Sequence, residues 1–345
     1  MEKSSLFGKD IITTQELSVE EIEQILSLAV DMKAKRYSPE YSSLLLYKTF
    51  IMFFYNPSLR TRQSFEAAAT ELGGHAQFIE PKAMRLKSVK GGVEVAGETI
   101  HDAAKVMARY ACGIGIRILE TSVDNYGDGN AILREYANYA DVPIINMADD
   151  IYHPCQGLAD VMGMRAHNGG QPTAGKTIVQ TWAKGALARS YCSVHESLLL
   201  NSRLGLNVKL AYPDDNYDLP ENIVEQARKN CEEAGGKFEI VKGDPRAAYE
   251  GADYIYSRNW FGKDFYEIGK EEEIKRATDT KYSDWICDED KMQIAGSDAK
   301  FIHPMPVDEG AEVTREVNQG PRSIIIDIAE NRLHVQKAIM ALTMS

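Results

Sequence analysis

Short apolar runs bounded by polar residues alternate along the chain with stretches whose apolar positions recur every three to four residues. Ser18-Val19-Glu20-Glu21 has capping-box form and opens a helical stripe of Ile22, Ile25, Leu26 and Ala29. Lys48 to Phe54 reads instead as a buried strand, short, apolar and rich in aromatics. Further strands are predicted at Ala76–Ile79, Gly115–Ile118, Pro143–Asn146, Thr177–Trp182, Asn207–Tyr212, Phe238–Val241, Tyr254–Tyr256, Phe301–His303 and Ser323–Ile326. Helical patterns such as Ile100–Tyr110 and Asn222–Glu233 lie between most of them. This alternation predicts an α/β protein with parallel sheets covered by helices on both faces. Nine or ten strands are many for one doubly wound sheet, so two sheets of four or five are expected, with a domain boundary near residue 150.

Composition narrows the classes. With 345 residues, 44% hydrophobic and 26% charged, the chain is ordinary globular material and neither disordered nor fibrous. No apolar run approaches the roughly 18 residues of a membrane span, and the opening Met1-Glu2-Lys3-Ser4-Ser5 leads into no signal-peptide core, so a cytoplasmic location is expected. Five scattered cysteines (Cys112, Cys155, Cys192, Cys231, Cys287) form no C-x-x-C pair, which suggests neither a disulfide framework nor a thiolate metal site. A formal charge of −12 argues against general nucleic-acid binding, so an anionic ligand must meet locally concentrated arginines.

Two segments resemble phosphate sites. Gly170-Gln171-Pro172-Thr173-Ala174-Gly175-Lys176-Thr177 matches the nucleotide P-loop pattern, but a helical stretch (Leu158 to Ala166) precedes it and a strand follows. A working P-loop follows a strand and opens a helix, so this segment reads as a polar turn. Asn56-Pro57-Ser58-Leu59-Arg60-Thr61-Arg62 has the opposite context, between the strand ending near Tyr55 and a helical run from Ser64 to Leu72. Hydroxyls, first-turn amides and forked guanidinium groups there suit a dianionic phosphate. A helix cap with surface arginines accounts for the spacing equally well. His153-Pro154-Cys155-Gln156 and His303-Pro304-Met305-Pro306 each follow a predicted strand, the end where open parallel sheets collect ligands; each is weak alone.

Taken together, Ser58-Leu59-Arg60-Thr61-Arg62, Gly97-Glu98-Thr99, Gly115-Ile116-Arg117, His153-Pro154-Cys155-Gln156, His303-Pro304-Met305-Pro306 and Glu330-Asn331-Arg332-Leu333-His334 resemble the aspartate/ornithine carbamoyltransferase family, in the family's order and over nearly the whole chain. The resemblance implies a carbamoyl phosphate domain over 1–150, completed by a C-terminal helix (328–345) crossing back to it, and an amino-acid acceptor domain over 151–327. It implies a homotrimer with sites at subunit interfaces. Ser58, Leu59 through its amide, Arg60, Thr61, Arg117 and Arg332 would grip the phosphate. His153 and Gln156 would address the carbamoyl group, with the carbonyls of Pro304 and Met305 turned inward by a cis Met305-Pro306 bond. Thr61, Arg117 and His153 would be the catalytic donors to the carbamoyl oxygen. No metal or organic cofactor is implied.

The acceptor follows from departures within the family. Its ornithine members carry S-M-G and H-C-L-P, where this chain has Ser257-Arg258-Asn259-Trp260 and Pro304, so plain ornithine is disfavoured. Aspartate members place a glutamine where Trp260 stands and an arginine where Val307 stands. Thr181-Trp182-Ala183, Ser257 to Trp260 and Glu330 to Lys337 are most similar to N-acyl-ornithine carbamoyltransferases and their relatives. An amino acid or derivative is therefore expected, its carboxylate on Arg258 beside Trp260, helped by Arg189 or Lys184. The basic, glycine-rich segment Lys82 to Ala96, with Lys87, Ser88 and Lys90, is either a loop entering a neighbour's site or a solvated loop. Asp308 and Glu309 either hold a cationic group or face water. The expected activity is transfer of a carbamoyl group to an amine; a catalytically silent carbamoyl phosphate-binding paralogue is the alternative, and a kinase using Gly170 to Thr177 a distant third.

Overall fold

A computed structural model of the chain describes residues 4–81, 86, 88–90, 93–95 and 97–345. It divides into two compact units, Met1–Leu158 with Asn331–Ser345, and Ala159–Glu330.

The first unit is built on a four-stranded sheet of order β2-β1-β5-β6, parallel throughout. Its strands are β1 (Thr49–Phe54), β2 (His75–Ile79), β5 (Gly113–Ile118) and β6 (Ile144–Asp149), with β3 (Ser88–Lys90) and β4 (Val93–Val95) pairing separately as an antiparallel ribbon. The helices are α1 (Val19–Ala34), α2 (Leu59–Glu71), α3 (Ile100–Tyr110), α4 (Asp128–Tyr139) and the start of α5 (Pro154–His167). The capping box predicted at Ser18 is present, Glu21 N donating to Ser18 Oγ and Ser18 N to Glu21 Oε2. Both faces of the sheet are covered, so β1 is apolar at successive positions rather than alternate ones. Ile51, Phe53, Ile114 and Ile116 pack against Ala103, Ala104 and Met107 of α3 and Leu133 and Tyr136 of α4. Behind them Phe50 stacks on Phe65 of α2 at 5.5 Å. Gly115 leaves the room for this, since a Cβ there would fall 2.8 Å from Phe50 Cζ and 2.9 Å from Met147 Sδ.

The second unit carries a five-stranded parallel sheet of order β11-β10-β7-β8-β9. These are β7 (Thr177–Trp182), β8 (Asn207–Tyr212), β9 (Phe238–Lys242), β10 (Tyr254–Arg258) and β11 (Lys300–Ile302), flanked by α6 (Cys192–Arg203), α7 (Glu221–Ala234), α8 (Pro245–Tyr249), α9 (Phe265–Ala277), α10 (Glu289–Ala295) and α11 (Arg315–Asn318). The chain returns to the first unit along α12 (Ile325–Met344). Buried Lys337 of α12 pairs with Glu71 at 2.9 Å, and Glu71 also receives Arg36. Lys33 donates to Asn331 Oδ1 at 2.8 Å and Lys48 to the Met344 carbonyl at 2.7 Å, fastening both ends of the returning segment.

Two expectations are corrected. Ser323–Ile326 is not a strand: only Ser323 bridges Phe301, and α12 begins at Ile325. The β-branched triplet looks like a strand, but Ile324, Ile325 and Ile328 are buried while Ile326 is exposed, which is helical spacing continuing into Leu333. The helix after Asn56 starts at Leu59 rather than Ser64, which puts Arg60 and Thr61 in its first turn. No helix among the described residues is long and apolar enough to cross a membrane.

Candidate functional site

The carboxyl ends of three adjacent strands, β1, β5 and β6, carry the residues singled out in the first half of the sequence. Parallel strands with right-handed helical crossovers bring such ends to one edge of the sheet, which is where the helix-starting loops leave free amides. At the end of β1, Ser58 is the N-cap of α2 and its Oγ accepts from Thr61 N at 3.4 Å, a cap of about 1 kcal/mol. That geometry places Leu59, Arg60 and Thr61 in the first turn, with the helix dipole's positive end beside them. Asn56 fixes the loop against the next strand: its Oδ1 accepts from Leu119 N at 2.6 Å and its Nδ2 donates to Thr121 Oγ1 and Ser122 Oγ. Arg117 lies opposite Phe54 in the β1–β5 register, and its carbonyl accepts from Tyr55 N at 2.9 Å.

At the end of β6 a turn leads to His153 and Gln156, both buried. The His153 carbonyl accepts from Gln156 N at 2.9 Å, which starts α5. Arg332, from α12 and 3% exposed, joins these segments. Its Nη1 donates to Gln156 Oε1 at 2.8 Å and its Nη2 to Thr61 Oγ1 at 3.3 Å. Residues 61, 156 and 332 thus meet directly, far apart though they are in sequence, while Ser58, Leu59 and Arg60 lie at the start of α2, Arg117 near the end of β5 and His153 just before α5.

The second unit gathers Lys184, Arg189, Arg258, Trp260, Pro304 and Met305 around the carboxyl ends of β7, β10 and β11. Trp260 is fully buried, its indole donating to the Tyr217 carbonyl at 3.0 Å, and its own carbonyl accepts from Trp182 Nε1 at 2.9 Å. Together these two bonds anchor the backbone just after β10. Arg189 Nη2 donates to the Pro306 carbonyl at 2.6 Å, and Lys184 is tied by its backbone N–H to the Trp285 carbonyl. The Met305-Pro306 bond is cis. Arg258 is 6% exposed, yet its Nε and Nη1 meet no hydrogen-bond partner among the described residues.

Glu312, which the sequence analysis did not single out, organises this cluster. Fully buried, it accepts from Asn259 N (Oε1, 2.7 Å) and Asp308 N (Oε2, 2.7 Å), and lies 3.2 Å from His303 Nε2 and 3.8 Å from Arg189 Nε. His303 Nδ1 accepts from Met305 N at 2.9 Å, so the ring hydrogen is assigned to Nε2, facing Glu312. Burial alone would push Glu312 up, but His303, Arg258 and Arg189 outweigh it and hold the carboxyl down at about 2. Burial pushes His303 the other way, below the usual imidazole range, so it is neutral at pH 7. A glutamate six residues after an H-P-x-P turn carries no sequence signal of its own; only the fold brings it under Arg258.

A depressed folded pKa means that Glu312 stabilises the fold above its unfolded value of about 4.5 and loses that contribution as pH falls towards about 2. Glu312→Gln is expected to cost about 3 kcal/mol at pH 7. The gap from the parent chain in urea unfolding should narrow progressively below pH 4.5. A constant gap would assign the loss to packing rather than charge.

The remaining candidates fall elsewhere. The Gly170 to Thr177 turn lies between α5 and the amino end of β7, and Lys176 is paired with Asp253 at 3.0 Å. Asp308 Oδ2 accepts from Ala186 N, and Glu309 accepts from Asn318 and Gln319. Lys87 lies outside the described residues, whereas Ser88 and Lys90 lie on β3. No group of three or more metal-ligating side chains occurs among the described residues.

Comparison with known proteins bears on both halves. Residues 9–166 match the family model described as aspartate/ornithine carbamoyltransferase, carbamoyl-P binding domain, and residues 185–343 match its Asp/Orn binding domain. The chain is 36% identical over 338 residues to a protein of Xanthomonas axonopodis pv. citri named N-acetylornithine carbamoyltransferase, covering 96% of each chain. It is 34% identical over 340 residues to the anabolic ornithine carbamoyltransferase of Pyrococcus furiosus, covering 99% of this chain and 98% of the other. Among solved structures, acetylornithine transcarbamylase complexed with acetylcitrulline superposes with a TM-score of 0.87 at 33% identity, covering 98% of this chain and 99% of that one.

Proposed function

The chain belongs to the aspartate/ornithine carbamoyltransferase family and is a carbamoyltransferase, and from that premise we propose which residues hold each reactant and which amine receives the group. The observation that carries the reading is the meeting of Thr61, Gln156 and Arg332. In the first unit the amides of Leu59 and Arg60, the Ser58 and Thr61 hydroxyls and the guanidinium groups of Arg60, Arg117 and Arg332 bind the phosphate of carbamoyl phosphate. His153 and Gln156 take its carbamoyl end.

Attack by a neutral amine forms a C–N bond and pushes negative charge onto the carbamoyl oxygen, where Thr61, Arg117 and His153 act as an oxyanion hole. The C–O bond to phosphate then breaks. Departing phosphate, with a second pKa of about 6, takes the amine proton, so an N-carbamoyl product and phosphate leave with all protons accounted for. Catalysis is orientation and electrostatics, the arginines relieving repulsion between polar reactants.

Charge counting in the second unit supports a particular acceptor. Arg258, Arg189 and Lys184 contribute three positive formal charges, Glu312 and Asp308 two negative, and His303 is neutral. One further carboxylate balances the cluster. An α-ammonium next to that carboxylate would sit against a cation, costing about 4 kcal/mol at 4 Å and an effective dielectric of about 20. An α-nitrogen neutralised by acylation avoids that repulsion, so the reading is an N-acyl-ornithine-type acceptor with a free terminal amine. We further propose a cytoplasmic homotrimer.

Phosphate release from carbamoyl phosphate should be at least about a hundredfold faster, as kcat/KM, with N-acetylornithine than with ornithine, two decades being about 2.8 kcal/mol. Putrescine, lacking the carboxylate, should be slower still. Fastest release with putrescine would sink the acceptor assignment, and none with any amine would favour the silent paralogue.

A further inference from the structure

We propose that Asp149 is a positioning residue for the transfer, its carboxylate winding the turn that sets His153 and Gln156 against the carbamoyl group. This rests on the roles given to His153 and Gln156 above. Asp149 is the last residue of β6 and has no exposed surface. Its Oδ1 accepts from Ile151 N at 2.8 Å and Tyr152 N at 2.5 Å, while its own N–H donates to the Tyr152 carbonyl at 3.0 Å. The next residue is His153, whose carbonyl starts α5.

The other carboxylate oxygen reaches away from the turn. Oδ2 accepts from Asn130 Nδ2 of α4 at 2.6 Å and from Asn146 Nδ2 of β6 at 2.9 Å. Both amides are themselves oriented: Arg134 Nε donates to Asn130 Oδ1 at 2.8 Å, and Asn146 Nδ2 also donates to the Ile12 carbonyl at 2.8 Å. Adjacent Asp150 does a different job, accepting from Gly127 N and Asn130 N at the start of α4. The charged groups facing Asp149 include Asp150 from its own segment and, from α4, Arg134 through Asn130, with Glu16 in turn paired to Arg134 at 2.5 Å.

An asparagine or serine winds a turn of this kind without burying a charge. What an aspartate adds is four accepted hydrogen bonds at once, two of which lock the turn to β6 and α4. All four neighbours are donors, so a protonated carboxyl would have nowhere to place its hydrogen and would surrender a bond. Burial pushes this carboxyl up to about 7, within the range where the reaction would be assayed. Protonation would loosen the turn and draw His153 and Gln156 off the carbamoyl group.

The test compares the parent chain with Asp149→Asn and Asn130→Ala between pH 5.5 and 9, following phosphate release with carbamoyl phosphate varied and then the acceptor varied. Asp149→Asn should lower kcat/KM for carbamoyl phosphate at least tenfold, leave the acceptor KM within twofold, and abolish the acid limb near pH 7. Asn130→Ala removes one donor to the charged form and should move that limb to higher pH. A folded Asp149→Asn chain with parental kcat/KM and pH profile overturns the proposal; if that variant does not fold, an unmoved limb in Asn130→Ala overturns it. Should the parent chain itself release no phosphate, the carbamoyl reading fails separately. Amide exchange at Ile151 and Tyr152 then decides the turn: a tenfold loss of protection in Asp149→Asn supports it, and none overturns it.

Discussion

Arg60→Ala is expected to weaken carbamoyl phosphate binding roughly a thousandfold, about 4 kcal/mol, measured by calorimetric titration with carbamoyl phosphate and with inorganic phosphate. Arg60 occupies the first turn of α2, beside the amides that Ser58 caps and next to Thr61, which Arg332 engages. Loss of one guanidinium from such a site leaves a dianion short of both charge and two forked donors. The control lies two residues on. Arg62 pairs with Glu66 at 2.9 Å and lies 3.8 Å over the Phe78 ring, on the exposed side of the same helix. Arg62→Ala should therefore change affinity less than twofold. Equal losses in the two variants would show that general positive charge, and not this loop, holds the anion.

The second large effect belongs to the other unit. Arg258→Ala should raise the acceptor KM about a hundredfold, close to 3 kcal/mol, while the KM for carbamoyl phosphate stays within twofold. Two of its guanidinium nitrogens are buried without a partner among the described residues, and the nearby carboxylate, Glu312, is committed to the backbone N–H groups of Asn259 and Asp308 and to His303. A buried donor without an acceptor is costly, and an incoming carboxylate would relieve that cost. Arg258→Lys keeps the charge but loses the fork, so it should fall between parent and alanine. A fall in carbamoyl phosphate affinity matching that of Arg60→Ala would remove the division of labour between the units.

Much of the architecture was legible because its signals are local. The strands at Thr177–Trp182 and Asn207–Tyr212 and the helix at Ile100–Tyr110 have the predicted bounds, each being an apolar run or stripe with polar punctuation. A helix directly after the strand at Thr49–Phe54 was legible for the same reason, although its start at the Ser58 cap was not. The triplet at Ile324–Ile326 misled because three β-branched residues are too few to show a period, which emerges only with Ile328 and Leu333. Glu312 and Asp149 escaped for another reason. Nothing adjacent marks either one, and each matters through partners from distant segments: Asn259 and Arg189 for one, Asn130 for the other. A buried carboxylate is ordinary in a sequence and conspicuous only once folded.

Arg332 bonds Gln156 across 176 positions of sequence and Thr61 across 271. Contacts of such separation repay the entropy of closing the chain only after the intervening segments have come together. Local folding of α2 can therefore present Ser58 to Thr61, but the third segment of the phosphate cradle arrives only when α12 docks. A substitution that loosens that docking, such as Lys337→Ala, would weaken the grip on the donor without touching it.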